Sequence, residues 1–257
     1  MGAERNVQIG DVSLCREDIA FLVPPRWIND QLIAAAFELL RARHAPPDER
    51  VLCVGPSEAY MIAQLADPTQ LPSLFAPLKL ETRQLVLMPV SDHDEPDDAG
   101  GTHWSLLAFY RQPPDAFFAF DSLSHLNLRA AEHLARRVAP LLGASHSRVV
   151  AVPTPQQQNG YDCGMYTIAI ADVCAAHVGK DVDEVADAVR SAVTAEAVQR
   201  RRKEFIRTLQ AMLQDGGGST PPTALATSTC APDRSAVLDV ALCAAAPATT
   251  EPNTPPR

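Results

Sequence analysis

The sequence of 257 residues lacks the patterns that mark several common protein classes. None of its six cysteines forms a C-x-x-C pair, and their irregular spacing argues against a disulfide framework and a structural zinc site. No apolar run approaches the roughly 18 residues of a membrane span, and no signal-peptide pattern is seen. We therefore expect no metal, cofactor or membrane association, and a reducing location in the cytoplasm or nucleus.

Positive charge is also scarce. Lys and Arg number 22 against 31 Asp and Glu, so the formal net charge is −9. An acidic protein repels phosphate backbones, which argues against a nucleic-acid partner and favours a basic protein partner. The hydrophobic content of 46% is enough for a globular core. We expect the protein to act as a monomer.

The composition divides the chain into two parts. Residues 215–257 contain no aromatic residue and seven of the 22 prolines. Such a segment buries too little apolar surface to offset the entropy of ordering it. We therefore predict a protein domain over residues 1–214 and a disordered tail over 215–257.

Hydrophobic periodicity predicts alternating helices and strands along the first 214 residues. A loosely alternating segment, Val7 to Asp18, is predicted to form a short strand. The first predicted helix begins at Asn29 or Asp30 and ends before Pro46. Further predicted helices cover Ser57–Leu65, Asn127–Leu142, Val182–Val193 and Thr194–Leu213. The predicted strands are Leu85–Val90, Trp104–Tyr110, Ala116–Phe120 and Val149–Val152.

One further helix is predicted to be central to the fold. Its residues from Met165 to Val178 are apolar nearly all round, which is typical of a helix inside a protein. Asp162 is a suitable N-cap, so Cys163 becomes the first helical residue. The free amides and the dipole at that position favour an anion such as a thiolate. Cys163 is therefore a candidate nucleophile, although most cysteines in a reducing compartment simply pack in the core.

A histidine follows a polar loop directly before a predicted strand. Residues 91–103 hold five acidic residues and two adjacent glycines, and end at His103. We interpret this loop as a mobile lid, although charge runs of this kind are usually only solvated. His103 is a candidate general base, against the alternative of a structural histidine.

Two polar residues complete a candidate catalytic group. Asp121 follows the strand 116–120, and hairpin pairing with strand 104–110 would bring its carboxylate near His103. Gln157 lies six residues before Cys163, and its carboxamide can donate a hydrogen bond to an oxyanion. Together the four residues supply a nucleophile, a base, an orienting acid and an oxyanion donor.

Four motifs carry a family resemblance over about residues 12–213. They are PPRWIND (24–30), AGGTHWSLL (99–107), FFAFDS (117–122) and QQNGYDCGMY (157–166). In these motifs the chain resembles the cysteine proteases that release ubiquitin-like modifiers, which are distantly similar to the adenovirus protease. The resemblance implies an α+β, papain-like or adenain-like fold, with a central mixed sheet packed against the helix that begins at the nucleophile.

The resemblance also implies roles for individual residues. His103, Asp121 and Cys163 would form the catalytic triad, with Gln157 at the oxyanion hole. Two tryptophans would flank a tunnel for the modifier's Gly-Gly tail, because aromatic walls leave room for a backbone and exclude side chains. The two tryptophans are Trp27 and Trp104. Without the resemblance, Trp27 would be interpreted as a core residue.

Further substrate contacts are expected at the edges of this site. Gly100 and Gly101 lie in the predicted lid, directly before the histidine motif. Asp30 and the acidic lid would attract a basic face of the modifier. No metal or cofactor is required by this reading.

The sequence therefore predicts an isopeptidase or C-terminal hydrolase for a ubiquitin-like modifier. The AGGTHW motif and Tyr161 resemble the deneddylase branch, which favours the Nedd type. Ser122, Leu123 and Gly160 are equally similar to SUMO-specific proteases, which form the main alternative. An acyltransferase of the same clan would need a basic cofactor pocket, and a modifier-binding module without activity would not need the thiol.

Overall fold

The computed structural model describes residues 6–44, 50–92, 101–112 and 115–214. The predicted tail over 215–257, Gly100 and most of the predicted lid lie outside the described residues. Within the described residues, no helix has both the length and the apolar character needed to cross a membrane.

The six predicted helices and the four strands predicted from Leu85 onward are found in the described residues, together with shorter elements that the periodicity did not predict. The strands are β1 (Val7–Ile9), β2 (Val12–Leu14), β3 (Val51–Cys53), β4 (Leu85–Ser91), β5 (Trp104–Tyr110), β6 (Ala116–Phe120) and β7 (Val149–Val152). The helices are α1 (Arg16–Ala20), α2 (Asp30–His44), α3 (Pro56–Gln64), α4 (Leu71–Phe75), α5 (Leu128–Leu142), α6 (Cys163–Ala176), α7 (Val182–Ala192) and α8 (Ala195–Gln214). Short 3-10 turns surround α4.

The amino-terminal segment differs from its prediction. The strand predicted from Val7 to Asp18 is instead a small antiparallel hairpin of β1 and β2, followed by α1. Gly10 forms the turn with a φ of +56°, a conformation that glycine adopts without steric strain. The loose alternation was therefore a strand signal interrupted by a turn.

Five strands form a central mixed sheet in the order β3-β4-β5-β6-β7. The middle strand β5 is antiparallel to both β4 and β6, whereas the edge strands β3 and β7 lie parallel to their neighbours. The register of β5 on β6 pairs Leu106 with Phe120 and Tyr110 with Ala116. This confirms the predicted hairpin and the expected α+β architecture.

Both faces of the sheet are buried because alternate strand residues enter two separate cores. Leu85, Leu106 and Phe120 point into a core shared with α2 and α6. Val86 and Phe117 point into a second core shared with α3 and α5. The antiparallel strands are therefore apolar on both sides, and not alternately apolar and polar.

Helix α6 lies inside the first core, as its apolar composition predicts. Twelve of its fourteen residues are buried, and it contacts β5, α2, α7 and α8. Because the helix is fixed along its length, the position of its first residue, Cys163, is set by the packing of the whole domain.

Candidate active site

The pairing of β5 with β6 places a histidine beside an aspartate at one end of the sheet. His103 Nε2 lies 2.6 Å from Asp121 Oδ1, and both side chains are almost fully buried. The hairpin thus brings together the two residues that the sequence predicted to be neighbours. Nε2–H donates this hydrogen bond to the carboxylate, which leaves Nδ1 available on the opposite side of the ring.

The Asp121 carboxylate is held by the backbone that follows it. Leu123 N donates to Oδ1 at 2.8 Å, and Asn127 N donates to Oδ2 at 2.9 Å. Burial alone would raise the pKa of Asp121, but the hydrogen bonds from His103 and these two amides lower it below its usual value. The group therefore stays a carboxylate beside the imidazole.

Asn127 forms hydrogen bonds with both His103 and Asp121. Its Nδ2 donates to the carbonyl oxygens of Val90 at 3.0 Å and of His103 at 3.1 Å, while its amide binds Asp121. The sequence predicted Asn127 only as the start of a helix. Its side chain does not cap α5 but turns toward the sheet, and no sequence spacing indicates this role.

Asp92 fixes the backbone on the other side of His103. Its Oδ1 accepts hydrogen bonds from the amides of Thr102 at 2.6 Å and His103 at 2.9 Å, and its Oδ2 binds the Thr102 hydroxyl. Although burial opposes it, these bonds lower the pKa of the Asp92 carboxyl. In the sequence Asp92 is only one member of an acidic run, whereas in the structure it fixes the two residues that end the loop before β5.

Cys163 occupies the first position of α6, with an exposed fraction of 2%. The Cys163 thiol and the Asp121 carboxylate both act on the His103 imidazole. Burial disfavours the charged imidazole, but the hydrogen bonds and negative charge of Asp121 and Cys163 outweigh it and raise the pKa of His103 to about 9. The site can therefore hold an imidazolium next to a sulfur nucleophile at neutral pH.

The start of α6 is closely surrounded by the two tryptophan segments. A Cβ on Gly164 would lie 2.4 Å from the Ile28 side chain and 3.5 Å from the Trp104 ring, so only glycine fits there. Trp27 is 48% exposed, and its Nε1 donates to the Gly160 carbonyl oxygen. Trp27 is therefore not a core residue, and the structure places both tryptophans beside the helix start.

Gln157 lies in the loop before α6, but its carboxamide is engaged with the protein. Its Oε1 accepts from the Ser122 hydroxyl at 2.8 Å, and its Nε2 donates to the Asn159 carbonyl oxygen at 2.7 Å. The second N–H of Nε2 remains for another acceptor. Gln156 instead binds the Asp121 carbonyl oxygen and the Ser124 amide, so it supports the turn after β6.

Asp162 stands at the N-cap position of α6, as predicted, but its side chain does not cap the helix. The carboxylate turns away to Arg202, Asn159 and Gln199. The capping part of the prediction is therefore wrong, because a buried guanidinium from α8 competes for the carboxylate. The amides of the first turn of α6 are left without a side-chain cap.

The remaining predicted contacts lie around this centre. Asp30 is exposed at the first position of α2, which is capped by Asn29 through a 3.0 Å bond from the Leu32 amide. Gly101 is half-buried, two residues before His103. Gly100 lies outside the described residues, and the lid function remains a prediction.

Comparison with known proteins agrees with this geometry. Residues 80–214 match the model of the Ulp1 protease family, C-terminal catalytic domain. The chain belongs to the Ulp1 protease family. This Ulp1-family chain is 35% identical to sentrin-specific protease 8 of Rattus norvegicus over 161 residues, which cover 62% of the chain and 73% of that protein. It is 34% identical to NEDD8-specific protease 1 of Arabidopsis thaliana, over 63% of the chain and 72% of the relative.

Solved structures support the fold of this Ulp1-family protease. The SUMO protease Ulp1 with its catalytic cysteine oxidised to a sulfinic acid superposes with a TM-score of 0.58 at 18% identity, covering 82% of this chain and 91% of the other. A de-sumoylating protease gives 0.60 at 15% identity, covering 83% and 93%. The chain is thus a cysteine protease with the α+β fold that the sequence predicted.

Proposed function

We propose that this protease cleaves after the terminal Gly-Gly of a ubiquitin-like modifier, and that the Nedd type is preferred. The observation that carries the proposal is the buried His103–Asp121 pair, together with a buried Cys163 at the start of α6 that acts on the same imidazole. The named relatives, which include sentrin-specific and NEDD8-specific proteases, support the class of substrate.

In the first step His103 holds the proton of the Cys163 thiol on Nδ1, and the sulfur attacks the carbonyl carbon of the modifier's last glycine. The resulting oxyanion accepts hydrogen bonds from the Cys163 amide at the start of α6 and from the free Gln157 N–H. Asp121 holds the ring in orientation and stabilises the imidazolium.

Collapse of the tetrahedral intermediate breaks the bond to the leaving amine, which takes its proton from the imidazolium. A thioester between Cys163 and the glycine remains. Water then attacks this thioester while His103 accepts a proton, and the thiol and the free modifier carboxylate are released. The raised pKa of His103 suits the step in which the amine must be protonated.

Selectivity for a Gly-Gly tail follows from the surroundings of the nucleophile. Cys163 is nearly inaccessible, and Trp27 and Trp104 both lie at the start of its helix. We propose that the tail passes between the two rings, where only residues without side chains fit. We propose that Asp30, which is exposed at the start of α2, contacts a basic patch on the modifier.

Hydrolysis of modifiers with a fluorogenic amine at the carboxyl terminus tests the proposal. We expect the highest kcat/KM for the Nedd type, a lower value for SUMO, and no turnover with Cys163→Ala. A SUMO preference would support the alternative assignment. The SUMO protease structures share the fold of this chain, but that likeness does not indicate which modifier is preferred. Absence of turnover with every modifier would overturn the proposed function.

The monomeric state, the cytoplasmic or nuclear location and the absence of a nucleic-acid partner remain predictions from composition. Gel filtration with light scattering would test the first. The net charge of −9 supports the last.

A further inference from the structure

An open groove of about 550 Å³ lies between the loop before α6 and the first half of α8. Gln158, Asn159 and Asp162 line it on the loop side. Arg200, Lys203 and Arg207 line it on the helix side and are exposed. The groove thus adjoins the catalytic helix but presents cations in an otherwise acidic protein.

The three cations form a row along one face of α8. Positions 200, 203 and 207 follow the i, i+3, i+7 spacing of a helical stripe, and the row is about 10 Å long at about 1.5 Å per residue. None of the three takes part in an ion pair within the part of the chain that the structure describes. Their charges are therefore available to a ligand.

The neighbouring basic residues of α8 are used differently. Arg201 binds the Asp172 carboxylate, and Arg202 is buried against Asp162. The basic run of α8 is therefore divided between two residues that hold the fold and three residues that line the groove.

The balance of charge in the groove favours an anionic ligand. Glu196 is the exposed carboxylate among its lining residues, since the Asp162 carboxylate is already paired with Arg202. Three cations therefore stand against the Glu196 carboxylate, which interacts with the charge of Arg200 one turn further along α8. This local excess contrasts with the net charge of −9 for the whole chain.

The position of the groove indicates what the ligand is. Asp162 directly precedes Cys163 and Tyr166 lies about one turn after it on α6, so the groove adjoins the start of the catalytic helix. Trp27 and Trp104 are not among the lining residues, which separates the groove from the path we assign to the Gly-Gly tail.

We propose that this groove binds an acidic segment of the protein to which the modifier is conjugated, next to the modified lysine. The inference rests on the proposed function, because it assumes an isopeptide substrate. An extended chain rises about 3.3 Å per residue, so the row of cations spans about three to four residues. A short run of Asp and Glu meets that requirement.

A variant with the row neutralised tests the proposal in the full chain. Arg200→Gln, Lys203→Gln and Arg207→Gln are combined, and the control combines Arg16→Gln, Arg129→Gln and Arg136→Gln, which removes three exposed cations elsewhere. The substrates are the modifier linked to a lysine peptide with flanking Asp and Glu, the same conjugate with Asn and Gln, and the modifier with a small fluorogenic amine.

We expect the groove variant to cleave the acidic conjugate with kcat/KM reduced about tenfold at low salt, mainly through KM, since each exposed ion pair contributes only a few-fold. Its activity on the neutral conjugate and the small amide should stay within about twofold of wild type. The control variant should match wild type on all three, and added salt should remove the wild-type preference for the acidic conjugate.

Equal rates for the groove variant and wild type on the acidic conjugate would overturn the proposal. So would an equal loss on all three substrates, because the groove would then serve the modifier itself.

Fluorescence anisotropy of the labelled acidic peptide with Cys163→Ala protein gives an independent measurement of binding. If no modifier is cleaved, the proposed function fails, and weakened peptide binding in the groove variant still supports the groove. A groove variant that no longer binds a uridine oligonucleotide but still binds the acidic peptide would also overturn the proposal.

Discussion

Arg202 and Asp162, the residue directly before the nucleophile Cys163, form a buried ion pair. Arg202 Nη2 and Nε lie 2.7 and 3.0 Å from Asp162 Oδ1, and the two side chains are 1% and 3% exposed. The same guanidinium donates to the carbonyl oxygens of Leu22 and Tyr161. One residue of α8 thus joins the segment before Trp27, the loop that holds Gln157 and the residue preceding Cys163.

This arrangement predicts a strong effect of Arg202→Gln on stability. The change leaves the Asp162 carboxylate buried without its cation, which typically costs about 3–5 kcal/mol. Urea unfolding should show this loss. Arg200→Gln, at an exposed neighbouring position, is the matched control and should leave the midpoint unchanged.

The double variant Arg202→Gln, Asp162→Asn separates the charge from the packing. It removes both charges, so we expect it to recover a large part of the lost free energy of unfolding. A double variant no more stable than Arg202→Gln alone would contradict an electrostatic role for the pair.

Asp92→Asn should lower kcat while KM changes little. The substitution weakens the bonds that fix the Thr102 and His103 backbone, and small displacements of a catalytic group reduce rates by roughly 10- to 100-fold. Asp67→Asn provides the control, because Asp67 makes similar bonds to Thr69 on the surface. Equal activity of the two variants would mean that Asp92 does not position the base.

The titration of His103 can be followed by NMR of labelled imidazole. Its pKa is raised from the ordinary 6.5 to about 9, so the imidazolium is more stable in the folded than in the unfolded chain. The resulting stabilisation is complete below pH 6.5 and is lost as the pH rises through about 9.

Two variants report the causes of this shift. Asp121→Asn removes the larger of the two raising contributions, so the His103 titration should move well toward its ordinary range. Cys163→Ala should move it less. The decline of unfolding free energy between pH 7 and 9.5 should flatten in Asp121→Asn. An unchanged titration in that variant would show that the ion pair does not set the protonation of the base.

Gln157→Ala should lower kcat by roughly 10²–10³, or about 2.7–4 kcal/mol, with little change in KM, because an oxyanion donor acts on the transition state. Gln156→Ala and Gln158→Ala should lose less than about tenfold each, since Gln156 binds backbone groups and Gln158 faces the groove. Similar losses in the three variants would contradict the assignment of Gln157.

The sequence predicted those parts of the site that depend on local pattern. Asp121 follows a five-residue strand, and His103 precedes the strand paired with it, so the hairpin alone brings them together. Cys163 follows from an apolar helix with a clear start. In each case hydrophobic periodicity determines the backbone, and the backbone determines the position of the side chain.

The supporting residues could not be predicted in this way. Arg202 bonds a carboxylate 40 residues away, and Asn127 bonds a carbonyl 37 residues away. Such contacts arise from tertiary packing, and a basic helix or an asparagine before a helix has simpler local explanations. The Asp162 cap prediction is wrong for the same reason, since a distant cation outcompetes the helix amides.

Covalent capture tests the central claim most directly. The full chain is incubated with Nedd-type and SUMO modifiers that carry an electrophile in place of the terminal carboxylate, and the adduct is mapped by peptide mass spectrometry. We predict one adduct, on Cys163, formed fastest with the Nedd type and slowed in Asp121→Asn. Adducts on Cys15 or Cys53, or no adduct with any modifier, would contradict the account.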